Sequence, residues 1–97
     1  MDIEFELDHT QFVWDMEKGT HNLDKHGVEF TEAATVFQDP LLVVTEAGRN
    51  GECRDKAIGF SSAGRLLVVV HTETDGEFIR IISAWPATAT DEQLYDH

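Results

Sequence analysis

Ninety-seven residues with a single cysteine, 19 acidic and 7 basic side chains and a net charge of −12 make one domain with a modest core. They exclude an internal disulfide, and so acidic a chain argues against direct DNA binding, which rests on cations neutralising phosphates. No basic-plus-apolar leader and no membrane-length apolar run is read in the chain, so a cytoplasmic location without membrane contact is expected.

Ile3, Phe5 and Leu7 alternate with Glu4, Glu6 and Asp8, the period of a strand with one wet face. Phe12-Val13-Trp14 is a second short apolar run, and Asp15 offers a cap for a helix over 16–25. Gly27 can take the left-handed conformation that ends it. Thr31 can cap a second helix over 31–38, with Ala33, Val36 and Phe37 on one stripe, closed by Asp39-Pro40. After Pro40 the period changes to two. Strands are expected over 41–45, 54–61, 65–72 and 77–84, with a polar loop over 47–53 holding Asn50-Gly51. Ala63-Gly64 and Asp75-Gly76 read as tight hairpin turns. Trp85-Pro86 breaks the last strand, and Thr88 or Thr90 caps a short C-terminal helix, Thr90 with Gln93 having capping-box spacing. The chain is thus expected to be α+β: two N-terminal helices packed on an antiparallel meander, with a short C-terminal helix and residues 1–11 as an extra strand or extension.

Two-residue turns at both places set a register. His71 then lies opposite Arg80 and Lys56 opposite His71, a cross-strand row of three cationic groups on one face. That face carries Ile58, Phe60, Leu67, Val69 and Ile82, the other Ala57, Val68, Val70, Ile79 and Ile81. Both are apolar, so one is expected under the helices and the second under the C-terminal helix, the N-terminal strand or another protein. A slip of one residue at Ala63-Gly64 would move Lys56 out of the row.

Cleaving RNA without a metal needs a base for the 2′-hydroxyl, an acid for the leaving oxygen and cations for the charge developing on phosphorus. Histidine suits proton transfer near neutrality, which singles out His71; guanidinium grips phosphate at two points, which singles out Arg65 and Arg80. Lys25 with His26 at a helix end is a further pair. Each has a plainer reading: strand histidines are more often half-buried hydrogen-bond partners, and a Lys-His at a helix C-terminus complements the dipole. The five histidines lack zinc spacing, and His21 and His26, five apart, fall off a common helix face. No Gly-rich phosphate loop, nucleophile elbow or calcium loop is present, so neither cofactor nor metal is expected.

Phe12-Val13-Trp14-Asp15, Asn22-Leu23-Asp24-Lys25-His26-Gly27-Val28, Phe30, Glu32-Ala33-Ala34-Thr35-Val36-Phe37 and Asp39-Pro40 resemble the opening of the BrnT toxin family. Ala57-Ile58-Gly59, Gly64-Arg65-Leu66-Leu67-Val68-Val69-Val70 and Arg80-Ile81-Ile82-Ser83-Ala84 resemble its second half. The resemblance implies the toxin half of a type II toxin–antitoxin pair with a RelE-like fold, a metal-independent ribonuclease that blocks translation. It implies as partner a ribbon-helix-helix, BrnA-like antitoxin, in a homodimer or a toxin–antitoxin heterotetramer. On this reading Arg65 and Arg80 are expected to bind phosphate, with His71, Lys56 or the Lys25-His26 pair in proton transfer or positioning. Several family cations are replaced: Trp85-Pro86 stands for a basic pair, Phe60 for an arginine, and the C-terminal helix keeps Tyr95 without Lys or Arg. The alternative is a catalytically inactive, acidic member that serves as a protein-binding module.

Overall fold

The computed structural model describes residues 1–46, 54–74 and 78–96. The expected alternation makes β1 (Asp2–Leu7), and the Phe12-Val13-Trp14 run widens into β2 (Thr10–Asp15). They join through Asp8 and His9, both at positive φ, 50° and 66°. A turn of this kind matches the twist of the flanking strands, although neither residue is the glycine that adopts it most easily.

Asp15 caps α1 (Met16–His26), its carboxylate accepting from the Lys18 N–H at 3.0 Å, and Gly27 ends the helix at φ 70° with its N–H on the Leu23 carbonyl. Both ends stand where the sequence puts them. The second helix differs from expectation. It splits into α2 (Phe30–Thr35) and a 3-10 turn (Val36–Gln38), and Glu29 rather than Thr31 holds the cap position. β3 (Val43–Glu46) starts late because Asp39 first makes a turn, accepting from the N–H groups of Leu41 and Leu42 at 2.9 and 3.1 Å.

The chain continues as β4 (Asp55–Phe60), β5 (Leu66–Thr74), β6 (Phe78–Pro86) and α3 (Ala89–Tyr95). Trp85-Pro86 does not break β6. Pro86 is its last residue, where a missing N–H is tolerated, and the Ala87 N–H takes over by donating to the Leu66 carbonyl at 2.9 Å. Thr88, not Thr90, caps α3, closing a capping box with Asp91. The Asn50-Gly51 loop and the Asp75-Gly76 turn lie outside the described residues.

The six strands form one sheet in the order β1-β2-β6-β5-β4-β3. All neighbours are antiparallel except β2 and β6, which run parallel with Phe12 opposite Ile79. The expected antiparallel meander is present in β3–β6. What differs is that a β-hairpin precedes the two helices and joins the sheet at β6, the long connection from β2 through the helices and β3–β5 letting β6 run parallel to β2. The core lies between the sheet and α1–α2, where Phe12, Trp14, Val28, Phe30, Ala33 and Val36 meet Ala57, Leu67, Val69, Ile81 and Ala84. Among the described residues no helix is long and apolar enough to cross a membrane.

The expected cationic row does not form. Gly64, at φ 78°, makes the β4–β5 connection a three-residue loop closed by Gly64 N–H to Ser61 O at 2.9 Å and Ser61 N–H to Arg65 O at 2.8 Å. That shifts the register by one residue, so Lys56 faces Val70 and Asp55 faces His71. On the other side Thr74 pairs with Phe78, Thr72 with Arg80 and His71 with Ile81, and a bulge leaves Ile82 without a partner between Ile81 and Ser83. Each slip of one residue exchanges faces. Ala57, Leu67, Val69, His71, Ile79 and Ile81 therefore sit under the helices, and Lys56, Ile58, Phe60, Val68, Val70 and Arg80 on the opposite side. α3 packs on β4 there, and Ile58 and Val68 are fully buried.

Candidate functional site

The residues that suggest chemistry in the sequence fall at five places. His71 is buried in the core, only 2% exposed. Its ring stands edge-on to Phe37 with centroids 4.9 Å apart, and its Nδ1 lies 3.3 Å from the Val69 carbonyl. Arg65 donates from Nε and Nη2 to the two oxygens of Glu32, at 3.0 and 2.6 Å, and from Nη2 to the Gly27 carbonyl at 3.1 Å. The hydrogen bond from Arg65 holds the Glu32 carboxyl below its usual range, against the opposing effect of burial. Ser61 donates to the same carboxylate at 2.7 Å, so this ion pair joins the end of α1, α2 and the β4–β5 loop.

Arg80, on the opposite face, donates to both oxygens of Asp2, at 2.8 and 3.4 Å. Lys56 reaches Asp91 of α3 at 3.5 Å. Burial alone would raise the Asp91 carboxyl; hydrogen bonds from Thr88 and Trp85 and the charge of Lys56 outweigh it and hold it low. Three cations are thus engaged by carboxylates of the same chain, in three separate places.

Lys25 and His26 have a different setting. Lys18, His21, Asn22 and Lys25 recur at the spacing of one helical stripe. With Asp15, Glu17 and His26 they line a groove of about 400 Å³ between α1 and β6, closed on the strand side by Ile82 and Ser83. The histidines are off a common stripe, as the sequence says, but the groove is wide enough to be lined by both. No ion pair of Lys18 or Lys25 and no hydrogen bond of either imidazole is made among the described residues. His26 also approaches Trp85, with ring centroids 6.1 Å apart. The bulge at Ile82 forms part of the wall, a device that often re-aims side chains beside functional sites.

Asn22 holds the groove together. Its Nδ2 donates to the carbonyls of Val28 and Ala84, both at 2.9 Å; its Oδ1 accepts from the Ala84 N–H at 3.0 Å and the Ser83 hydroxyl at 3.2 Å. The Asn22-to-Val28 run and the Arg80-to-Ala84 run therefore meet at one buried amide, which clamps α1 to the edge of β6. Two lysines and two carboxylates line the groove, so its formal charge is zero with neutral imidazoles and +2 with both protonated. Imidazole is able to exchange a proton near neutrality, and a lysine ammonium to face an anion. Lys18 and His21 were not singled out in the sequence. The available signal was their helical spacing from Lys25, which separates them by whole turns on α1.

A family model described as the ribonuclease toxin BrnT of type II toxin–antitoxin systems matches residues 14–91. The crystal structure of the Brucella abortus ribonuclease toxin BrnT is similar in fold, with a TM-score of 0.62 at 23% identity, covering 77% of this chain and 92% of that one. No curated protein matches the sequence.

Proposed function

The chain belongs to the BrnT family of ribonuclease toxins of type II toxin–antitoxin systems, and on that premise we propose that it cleaves RNA without a metal in the groove between α1 and β6. The observation that carries this reading is the convergence of Lys18, His21, Lys25 and His26 on one groove, while Arg65, Arg80 and Lys56 are tied to Glu32, Asp2 and Asp91. One of His21 and His26 takes the 2′-hydroxyl proton as that oxygen attacks phosphorus. The other protonates the departing 5′-oxygen, giving a 2′,3′-cyclic phosphate and a free 5′-hydroxyl. Lys18 and Lys25 offset the negative charge that accumulates on the phosphoryl oxygens. Arg65 and His71 are assigned to the scaffold and Arg80 to a flanking phosphate contact.

A type II toxin has a protein antitoxin. A ribbon-helix-helix, BrnA-like partner, assembly as a homodimer or a heterotetramer with it, a RelE-like mode of action and a cytoplasmic site belong to the same proposal. The test is RNA cleavage by purified protein in the presence of a chelator. His21→Gln and His26→Gln should each slow cleavage by about 10²–10⁴-fold, the usual worth of a general acid or base. Full activity in both variants, with loss in Arg80→Ala, would move the site away from α1.

A second reading rests on the three occupied cations and the net charge of −12. An acidic surface of this kind suits a catalytically inactive member that only binds a partner protein. Folded protein that leaves RNA intact at all concentrations, yet forms a complex with its antitoxin, selects that reading.

A further inference from the structure

Asp2 lies outside the residues matched by the family model, which begin at 14, yet it is the partner of Arg80. The carboxylate meets the guanidinium at two points, the arrangement by which arginine also grips a phosphate. We propose that β1 is a built-in occluder: Asp2 stands in for an RNA phosphate on Arg80, and an incoming phosphate has to displace it. This rests on the reading of the chain as an RNA-binding toxin and adds a gated phosphate contact to it.

The strand is anchored by its other face. Ile3, Phe5 and Leu7 pack against the core, while Asp2 sits at the last rung, opposite Asp15. Displacement therefore requires only that the Asp2 side chain turn off Arg80, and the backbone of β1 stays in place. Both side chains are within reach of solvent, Arg80 at 37% and Asp2 at 48% exposure. Beside them is a cavity of about 230 Å³ lined by Asp2, Glu4, Gln11, Val13, Phe78 and Arg80, room for a phosphate-sized anion once Asp2 turns away. Glu4 adds a second carboxylate to that wall, and the charge of Asp15 also acts on Arg80. Asp15 lines the α1–β6 groove as well, so the two places share one carboxylate. The first residue is held too, by the Met16 N–H on the Met1 carbonyl at 2.9 Å and the terminal ammonium 3.7 Å from Asp15.

The test titrates the full-length protein with inorganic phosphate while following the Arg80 Nε–Hε resonance in wild type, Asp2→Ala and Asp2→Asn. Amide protection of β1 and β2 in each variant reports whether the strand stays docked, and Asp2→Asn serves where Asp2→Ala frays it. Removing the competing carboxylate should tighten phosphate binding roughly two- to fivefold, the range of an exposed ion pair. The accompanying shifts at Val13 should vanish when Arg80→Gln is added. Identical titrations in wild type and both variants would overturn the occluder. A parallel titration with single-stranded RNA should steepen the salt dependence of log K by about 0.7 in the variants, one additional phosphate contact. A phosphate gain without RNA binding in any protein would keep the gated anion site and overturn the ribonuclease reading alone.

Discussion

Asn22 shows how one side chain can decide where a helix lies. An amide has two donors and an oxygen that accepts twice, and here it spends two donated and two accepted bonds on Val28, Ser83 and Ala84. Asn22→Ala would leave buried backbone groups of Ala84 and Val28 without partners, at about 1–3 kcal/mol each. The expected loss is about 3–5 kcal/mol in denaturant unfolding, and a loss below about 1 kcal/mol would contradict the clamp. Gly59 acts by what it lacks. A Cβ there would come within 3.0 Å of Leu42 and Val36, so only glycine lets the 3-10 turn and Leu42 lie so close to β4. His9 is the reverse case, a branched ring held at φ 66° in the β1–β2 turn. Left-handed backbone costs a non-glycine residue about 1–2 kcal/mol, less the extra chain entropy glycine loses. His9→Gly should therefore raise stability by about 0.5–1 kcal/mol, read as a higher denaturant midpoint at unchanged slope.

At the scale of elements, α3 is the least self-sufficient piece. It has seven residues, too few to hold a helix in water without tertiary support. Its attachments are the Thr88–Asp91 capping box, the Lys56–Asp91 pair, the Trp85 ring N–H on Asp91 at 3.4 Å, and the Tyr95 hydroxyl donating to Asp39 at 2.6 Å. Asp39 is held low although burial alone would raise it, because Phe60, Tyr95 and Leu41 all donate to it. The same bond, with burial and the Asp39 charge, pushes Tyr95 up from 10.0 to about 12. A raised acid favours its neutral form in the folded state. That stability is complete below the unfolded value and is lost as pH rises through the folded one. The latch should hold at pH 9 and weaken between about pH 10 and 12. Because the chain has one tyrosine, tyrosinate absorbance reports it directly. A folded-state midpoint near 10 would mean that the Tyr95–Asp39 bond is absent in solution.

For the whole molecule, the groove and the net charge pull in opposite directions. On the proposed reading, an RNA strand approaching a −12 surface would be repelled at long range and drawn in only at the groove that holds Lys18 and Lys25. A Lys18→Gln/Lys25→Gln double variant should therefore bind RNA more weakly, with the slope of log K against log salt reduced by about 1.4, or about 0.7 for each lost phosphate contact, measured by anisotropy. An unchanged affinity and slope would place the RNA contact elsewhere. The sequence by itself determined the ends of α1, the β1 alternation, the four later strands and membership of the α+β class. These depend on local rules, a cap at Asp15, a left-handed glycine at 27 and a period of two. Register was decided only in three dimensions. One extra residue in the Ser61–Arg65 turn, and the pairing of Thr74 with Phe78 rather than Glu77, exchanged the faces of whole strands. That sent His71 into the core and left Lys56 and Arg80 to carboxylates from α3 and β1. The parallel pairing of β2 with β6 and the groove beside it arise the same way, because long-range pairing answers to packing of the complete sheet, which no local spacing encodes.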